Sequence, residues 1–354
     1  MPSRKRKGKD SLTIHDVAAR AGVSSQTVSR VINGSPNVKE STRILVLSVV
    51  ETLKFRPNRT AQNLAWRRSR LIGLITHALS EFGPTQVLVR LEEAARDRGF
   101  SVIVIDIKEM TIENIQVAID ELRDQQVAGI QFNLPLRIDF SFLKEIAKQL
   151  PVVTYDIALA PDIPSVVFKH ERASRMVTNH LLDLGHQHIV HLGGPQTWIA
   201  GHLRRVAFLK TLKNRGIVSS LYFQGDWTAD SGYQLALKLL KDHWGKFSAV
   251  LAGSDSMALG AMLAFYENGV SIPAQISVAG FSDIPQSAFF HPPLTTVRQD
   301  FTQFGQLGVE CLLNAIDCPN TPALRHILQP VLVVRSSTAI IAGRRSRLPP
   351  GSIY

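Results

Sequence analysis

The chain has 354 residues, of which 45% are hydrophobic, and this is enough for two or three domains with sizeable cores. No run of about 18 apolar residues occurs, and no apolar stretch follows the basic start, so the sequence predicts neither a membrane span nor a secretory signal. Two cysteines are too few for a disulfide framework, which is typical of a protein in a reducing cytoplasm.

The net charge of +11 is confined to the first fifth of the chain. Residues 1–70 carry 15 Lys and Arg against 4 Asp and Glu, whereas the remaining residues carry 25 of each sign. A positive surface binds phosphates and releases their counterions, so this distribution predicts a nucleic-acid-binding module attached to a neutral body. We expect residues 1–11 to form a basic disordered arm, which either lies along the DNA backbone or is merely solvated.

A small helical domain is predicted over residues 12–57. Thr13 can cap a first helix, with Asp16 three residues later, and Gly22 can adopt the left-handed conformation that ends it. Ser24 can cap a second helix, which turns polar side chains outward: Ser25, Gln26, Ser29 and Arg30. Glutamine can bond adenine through both ends of its amide, and arginine can bond guanine O6 and N7. The pattern predicts a DNA-reading helix-turn-helix, and the alternative is an ordinary helical hairpin with a solvated polar face.

A third helix is predicted over residues 40–53, with four apolar side chains on its inner face: Ile44, Leu47, Val50 and Leu53. Residues 58–69 follow, and they are basic and too few to form a stable isolated helix in water. We expect them to form a hinge helix only on DNA, where Leu64 would act as an apolar wedge in the minor groove. The alternative is a plain linker.

From residue 71 strands and helices alternate. Strands are predicted at 71–75, 101–106, 129–132, 152–156, 188–192, near 221, and at 249–252, 276–280 and 331–335. Helices are predicted at 85–98, 113–125, 140–149, 171–184, 204–215, 229–241 and 257–268. This order predicts an α/β body of two lobes, each built on a doubly wound parallel sheet, with a ligand cleft where the carboxyl ends of the strands face each other.

Motifs from nearly the whole chain carry a family resemblance. They include Ala21-Gly22-Val23-Ser24, Thr27-Val28-Ser29-Arg30-Val31-Ile32-Asn33, Ala61-Gln62-Asn63-Leu64-Ala65, Gly225-Asp226-Trp227, Met257-Ala258-Leu259-Gly260-Ala261 and Pro292-Pro293-Leu294-Thr295-Thr296. Together they resemble the LacI/GalR family of transcriptional repressors. The resemblance implies a homodimer that binds a pseudo-palindromic double-stranded DNA operator and responds to a small-molecule effector.

The resemblance also implies how the body is divided. An effector-binding and dimerisation domain would span residues 70–341, and its two lobes would resemble periplasmic sugar-binding proteins joined by three crossovers. Lobe 1 would comprise 70–169 and 301–328, and lobe 2 would comprise 170–300 and 329–341. The tail, 342–354, contains no heptad helix of the kind that forms tetramers in the family, so we predict dimers.

The matching positions imply which residues contact DNA. Base-reading positions correspond to Ser25, Gln26 and Arg30. Positions that bind the phosphate backbone correspond to Thr13, Ser24, Thr27 and Asn33. The predicted DNA-binding set is completed by Ser29, Asn58 and Leu64. Because Ser25 replaces a tyrosine found in the family, we expect a different operator sequence.

The effector site is implied in the same way. Asp156 and Arg204 match a polar pair that binds sugar hydroxyls, and a carboxylate and a guanidinium fork have the right chemistry for it. Trp227 matches an aromatic residue that packs on the apolar face of a sugar ring. Further cleft positions correspond to His77, Asn133, Phe168, Ser254, Ser282, Gln299 and Phe301.

Three of these positions depart from the family. Ser254 and Ser282 are shorter than the Asn and Asp often found there, and His77 replaces a serine. We therefore expect a polyhydroxylated effector that is larger than a simple galactoside or differently substituted. Alternatively, Asp283 takes over from the missing carboxylate.

Other functions fit the sequence less well. A solute receptor would need a signal peptide and no basic module, and an enzyme would need an activated acid, base or nucleophile in the cleft. His186, His188 and His191 lack the carboxylate or cysteine that would complete a metal site. We expect a cytoplasmic, nucleoid-associated repressor with no enzymatic activity, no cofactor, no metal and no membrane partner. A corepressor-dependent repressor that responds to a phosphorylated sugar or a nucleobase remains the alternative.

Overall fold

The computed structural model describes residues 12–32, 35, 37–55, 69–135, 141–156, 163–217, 220–319 and 321–341. The predicted arm, most of the predicted hinge and the tail lie outside the described residues, as do Asn33, Asn58 and Leu64. The chain divides into two compact units, Met1–Ser69 and Arg70–Tyr354. No helix in the described part is long and apolar enough to cross a membrane.

The first unit contains the three predicted helices, α1 (Ile14–Ala21), α2 (Ser25–Ile32) and α3 (Glu40–Thr52). The carboxylate of Asp16 accepts hydrogen bonds from the backbone and the hydroxyl of Thr13, both at 2.7 Å. Gly22 ends α1 in the left-handed conformation, with φ of 63°, and a core of valines and alanines lies between the helices. The helix-turn-helix prediction is confirmed.

The inner face of α3 differs from the prediction. Val46 is fully buried, whereas Ile44 and Leu47 are 62% and 48% exposed. The sequence from Ile44 to Val50 is apolar on nearly every side of the helix, so helical spacing is compatible with more than one inner face. Packing against the valines of α1 and α2 selects the face that contains Val46.

The second unit contains twelve strands among its described residues. They are β1 (Leu71–Thr76), β2 (Ser101–Asp106), β3 (Gly129–Asn133), β4 (Val152–Tyr155), β5 (Ser165–Phe168), β6 (Ile189–Gly193), β7 (Leu221–Gln224), β8 (Ala249–Ala252), β9 (Ser277–Ala279), β10 (Thr296–Arg298), β11 (Arg325–Leu328) and β12 (Val331–Val333). The helices are α4 (Phe82–Asp97), α5 (Ile112–Asp124), α6 (Leu143–Ala147), α7 (His170–Asp183), α8 (Ile199–Asn214), α9 (Ala229–His243), α10 (Asp255–Glu267) and α11 (Phe301–Asp317), with a 3₁₀ turn at Pro285–Phe289.

Two parallel sheets form the two lobes. The first has the order β11-β5-β4-β3-β1-β2, and the second has the order β7-β6-β8-β9. The first sheet contains a strand, β11, that follows all the strands of the second, while β12 returns to pair antiparallel with β10. The chain therefore crosses between lobes repeatedly, and the predicted two-lobed α/β architecture is confirmed.

The sequence missed the shortest elements. It predicted no strand at β5, β10 or β11, each of which has three or four residues. It also began α8 five residues late, because Trp198 and the small residues after it carry no helical periodicity. Both errors affect the prediction of the ligand cleft, since β5 and the first turn of α8 border it.

Candidate ligand cleft and nucleic-acid interface

A cleft lies between the carboxyl ends of the two sheets. Its cavity volume is about 110 Å³, which is several times the volume that a single water requires. The lobes meet beside it, where the backbone N–H of Ile199 donates to the carbonyl of Pro135 at 2.7 Å. Eight of the ten predicted effector residues line this cleft: Asn133, Asp156, Arg204, Trp227, Ser254, Ser282, Gln299 and Phe301.

Asp156 and Arg204 are joined by a histidine that the sequence analysis did not select. The carboxylate of Asp156 lies 3.1 Å from Nε2 of His170, and Nη2 of Arg204 lies 3.3 Å from Nδ1 of the same ring. Because a guanidinium can only donate, Nδ1 accepts and Nε2 carries the proton that Asp156 accepts. Burial lowers the pKa of His170, although the nearby Asp156 opposes the shift. The ring is therefore neutral at pH 7.

Arg204 is 6% exposed and lies against aromatic rings. Its guanidinium carbon is 3.5 Å from the ring centre of Phe281 and 5.4 Å from that of Trp227, and Nη1 donates to the carbonyl of Gly253 at 2.7 Å. Burial lowers its pKa to about 9, against the opposing charges of Asp156 and Asp255. Its Nε–H is buried and has no hydrogen-bond partner among the described residues.

Trp227 forms the apolar wall of the cleft in an unusual backbone conformation. Its φ is 78°, and its ring lies 5.8 Å from that of Trp198 in an edge-to-face arrangement. The indole Nε1–H is buried and, in the described part of the chain, without an acceptor. Asp156 and Ser282 also have positive φ, 57° and 120°. Such conformations cost about 1–3 kcal/mol each and concentrate at ligand sites, so the backbone supports the assignment of this cleft as a binding site.

The serines of the cleft have structural partners. The hydroxyl of Ser254 caps α10 by accepting from Met257 N–H at 3.1 Å, and it donates to the carbonyl of Trp227 at 2.9 Å. Ser282 lies 3.4 Å from Oε1 of Gln299. Asp283 does not line the cleft, because its two oxygens bind Arg298 and Arg335 at 2.6 and 2.7 Å. The alternative in which Asp283 replaces a missing carboxylate is therefore not supported by this geometry.

Two predicted effector residues lie behind the cleft. Phe168 is buried edge-to-face against His170, with ring centres 5.0 Å apart. His77 is half-buried and donates from Nδ1 to the carbonyl of Ile107, with its ring 6.0 Å from Trp198. Neither side chain is part of the cleft lining; both support residues that are.

Several lining residues were not predicted from the sequence: Glu81, Phe82, His170, Trp198, Ser256 and Phe304. A usable signal existed for His170, because it begins α7 directly after β5 and thus lies at a carboxyl end of the first sheet. The missed strand concealed this position. Similarly, the late start predicted for α8 concealed Trp198, which precedes the first helical residue.

The predicted DNA-reading face is formed by α2. Gln26 and Arg30 are exposed one turn apart, while Val28 and Val31 are buried beneath them. Ser25 Oγ lies 2.9 Å from Nδ1 of His15 on α1. This geometry leaves an amide and a guanidinium on one side of a short helix, which is the chemistry that reads base edges in the major groove.

The other predicted contact residues of this unit also surround α2. Ser24 accepts from Thr27 N–H at 3.1 Å and so caps the helix, and its hydroxyl lies 2.9 Å from that of Thr27. Ser29 is half-buried on α2. Thr13 is exposed, and its hydroxyl donates to Asp16, so its oxygen remains an acceptor.

Comparison with known proteins agrees with both halves of the molecule. Residues 13–58 match the family model for bacterial regulatory proteins of the lacI family, and residues 178–338 match the periplasmic binding protein-like domain. The lactose operon repressor of Escherichia coli (strain K12) is 35% identical over 339 residues, which cover 96% of this chain and 93% of that protein.

Solved structures give the same result. The crystal structure of the lac repressor dimer bound to operator and the anti-inducer ONPF superposes with a TM-score of 0.82 at 35% identity, covering 93% of this chain and 99% of that chain. The complex of the transcriptional regulator CelR with cellobiose superposes with a TM-score of 0.67 at 28% identity, covering 92% of this chain and 99% of that chain. As the motif resemblance predicted, the chain belongs to the LacI family of bacterial regulatory proteins.

Proposed function

We propose that this chain is a sequence-specific DNA-binding repressor whose operator affinity is controlled by a sugar or sugar derivative bound in the cleft. The observation that carries the effector class is that two side chains of the cleft lining, Arg204 and Trp227, each have a buried N–H with no acceptor among the described residues. Buried donors without acceptors are costly and rare in native proteins. A ligand rich in hydroxyl oxygens supplies acceptors for both.

The surroundings of these donors fit a sugar ring. Trp227 provides a flat apolar surface for the C–H face of the ring, while Asn133 and Gln299 add amides that can both donate and accept. The transcriptional regulator CelR, which is similar to this chain, has been solved in complex with cellobiose. In this assignment Asp156, His170 and Arg204 bind and orient the effector. No residue is assigned a catalytic role, because Asp156 and Arg204 are engaged through His170.

We assign operator recognition to the first unit. Three side chains read the bases of the operator: Ser25, Gln26 and Arg30. The neighbouring sugar-phosphate backbone of the DNA is bound by Thr13, Ser24, Thr27 and Ser29. The exposed faces of these residues and the positive charge of residues 1–70 support this assignment. Asn33, Asn58 and Leu64 complete the proposed set, and the protein would act on DNA in the cytoplasm, at the nucleoid.

We further propose that the repressor is a homodimer on a pseudo-palindromic operator, as in the lac repressor dimer structure. An exposed apolar surface supports this assembly: Leu259, Leu263, Tyr266 and Phe289 are 44%, 49%, 77% and 86% exposed on α10 and the 3₁₀ turn. Four large apolar side chains on neighbouring elements are typical of an interaction site. Sedimentation of a Leu259→Asp variant as a monomer would support this interface.

The proposed control is a population shift. Effector binding favours one arrangement of the two lobes, which changes the separation of the two predicted hinges, 58–69, in the dimer and thereby the affinity for the operator. Such coupling requires that the effector bind one arrangement more tightly than the other. The residue ranges predicted for the lobes, 70–169 with 301–328 and 170–300 with 329–341, are part of this proposal.

A thermal-shift screen followed by operator titration tests the proposal. The screen covers neutral sugars, sugar phosphates and nucleosides, because a ligand at 100 times its Kd stabilises the native state by about 2.7 kcal/mol. Operator DNA is selected from a random library, and its binding is measured by fluorescence anisotropy with and without each hit.

Arg204→Ala has a matched control in Arg205→Ala, since Arg205 lies over Tyr222, 4.2 Å from its ring centre, and does not line the cleft. We expect a sugar that stabilises the wild type and Arg205→Ala, but not Arg204→Ala, and that alters operator affinity. Stabilisation by nucleosides or phosphates alone would refute the proposed effector class. A decrease in operator affinity identifies an inducer, and an increase identifies a corepressor.

A further inference from the structure

The mouth of the cleft contains a carboxylate with no assigned role. Glu81 lies at the N-cap position of α4 and is half-buried, but its side chain makes no capping hydrogen bond. No ion pair or side-chain hydrogen bond joins it to any of the residues that the structure describes. Apart from the favourable dipole of the helix N-terminus, the carboxylate has no partner in the described part of the chain, and it lines the cleft.

A second carboxylate, that of Asp226 on the other lobe, acts on Glu81 through its charge. Asp226 precedes Trp227, and its Oδ1 accepts from the backbone and the hydroxyl of Thr228 at 3.0 and 2.6 Å. Burial opposes ionisation of Asp226, but these hydrogen bonds together outweigh it and lower the pKa of Asp226. Burial raises the pKa of Glu81, and the charge of Asp226 raises it further. Glu81 and Asp226 thus carry like charges on different lobes.

The deeper part of the cleft is electrically balanced. Asp156 is linked through the neutral ring of His170 to Arg204, and these three are the other titratable residues among the described lining. Glu81 is therefore the charged side chain of the described lining that has no oppositely charged side chain as a partner there. Phe82 and Trp198 line the same cleft, and aromatic faces attract cations as carboxylates do.

We propose that the effector carries a protonated amine that binds Glu81 at the mouth of the cleft, so that the effector is an amino sugar or an aminated glycoside. This inference rests on the proposed function and specifies its ligand class. The sugar ring occupies the inner cleft against Trp227, and the ammonium lies against the carboxylate of Glu81. A phosphate group in the same position would be repelled by this carboxylate.

The ammonium would also offset the cost of burying Glu81. A half-buried carboxylate without a counter-ion raises the free energy of the closed cleft, and an ammonium bound to Glu81 removes this cost. The amine would therefore bind the closed arrangement better than the open one, which is the differential affinity that a population shift requires.

Matched ligand series test the inference. Purified wild-type protein is screened by thermal shift against glucose and galactose as the hydroxyl, free 2-amino, N-acetylamino and 6-phosphate forms. The β-1,4 disaccharides of glucose, glucosamine and N-acetylglucosamine are screened in parallel. Every hit is then titrated by calorimetry at one fixed ionic strength, because salt screens a partly exposed ion pair. The amine is expected to bind most tightly within its series.

Variants connect that preference to Glu81. Glu81→Gln should lower the ratio of amine to hydroxyl affinity by about tenfold, as expected for a partly buried charge pair. Glu113→Gln, which removes an exposed carboxylate from the first turn of α5, is the control and should keep the wild-type ratio. An amine preference that persists in Glu81→Gln, or a wild-type preference for the hydroxyl form, overturns the inference and leaves the sugar effector standing, whereas stabilisation by the phosphate forms alone overturns both. If no sugar of any series stabilises either protein, the proposed effector class itself fails.

Discussion

The indole of Trp227 occupies the space that a side chain at position 194 would need. A Cβ atom built on Gly194 would lie 2.2–2.4 Å from three atoms of the six-membered ring. The left-handed backbone of Trp227 directs the ring onto this glycine, and the two residues follow the ends of neighbouring strands, β6 and β7. The absence of a side chain at Gly194 therefore sets the position of the apolar wall of the cleft.

Gly194→Ala should displace Trp227 and weaken effector binding. The φ of Gly194 is not in the left-handed region, so alanine fits the backbone and the effect arises from the clash alone. We expect a loss of about 1–3 kcal/mol in stability, as for other overpacked sites, and a rise in effector Kd of about tenfold or more. Urea unfolding and calorimetric titration measure the two effects.

A Trp227→Leu background provides the control for this prediction. Without the six-membered ring, the three atoms nearest to a Cβ at position 194 are gone, so Gly194→Ala should then cost less than about 0.5 kcal/mol, and the two substitutions should be strongly non-additive. Equal costs in both backgrounds would show that Gly194 is required for another reason.

His191 should make the fold sensitive to mild acid. Burial lowers its pKa to about 3, and the charges of Arg204 and Arg205 act in the same direction. Its unfolded value is about 6.5, so between these two values the unfolded chain binds the proton and the folded chain does not. Stability must therefore fall as the pH decreases below about 6.5, and His191 alone should account for about 2 kcal/mol between pH 7.5 and pH 5.

Urea unfolding of wild type and His191→Gln at both pH values isolates this contribution. Burial also lowers the pKa values of His170 and His180, but their effect is common to the two proteins. The wild type should lose about 2 kcal/mol more than the variant on acidification. The same loss in both would mean that His191 titrates normally in the folded protein.

His170, which lies between Asp156 and Arg204, should be replaceable only by a side chain that can donate to the carboxylate and accept from the guanidinium. His170→Phe keeps a ring but leaves a buried guanidinium N–H and a carboxylate oxygen without their partner, which should cost about 2–4 kcal/mol. His170→Gln can donate to Asp156 from its amide nitrogen and accept from Arg204 at its amide oxygen, so it should retain most of the stability. Urea unfolding compares the two, and equal losses would indicate that ring packing against Phe168 dominates.

Local signals predicted most of the molecule, and non-local contacts account for what was missed. Gly22 and Ser24 end and begin helices through bonds within a few residues, so their roles could be inferred from spacing. The link between Asp156, His170 and Arg204 joins positions 14 and 34 residues apart, and no local pattern encodes it. The inner face of α3 and the role of Gly194 likewise depend on which elements pack together.

Arg30→Ala should relax base recognition at one position of each operator half-site. The guanidinium of Arg30 is exposed on α2 beside Gln26, and loss of a bidentate contact to guanine costs about 1–3 kcal/mol of discrimination. Anisotropy titrations with the selected operator and its single-base variants measure this directly. Arg20→Ala, in the exposed last turn of α1, is the matched control, because Arg20 lies outside the proposed base-reading helix and loss of its charge should weaken all sequences alike and reduce the salt dependence. If Arg30→Ala also weakened all sequences by the same factor, Arg30 would contact the backbone and base reading would fall to Ser25 and Gln26.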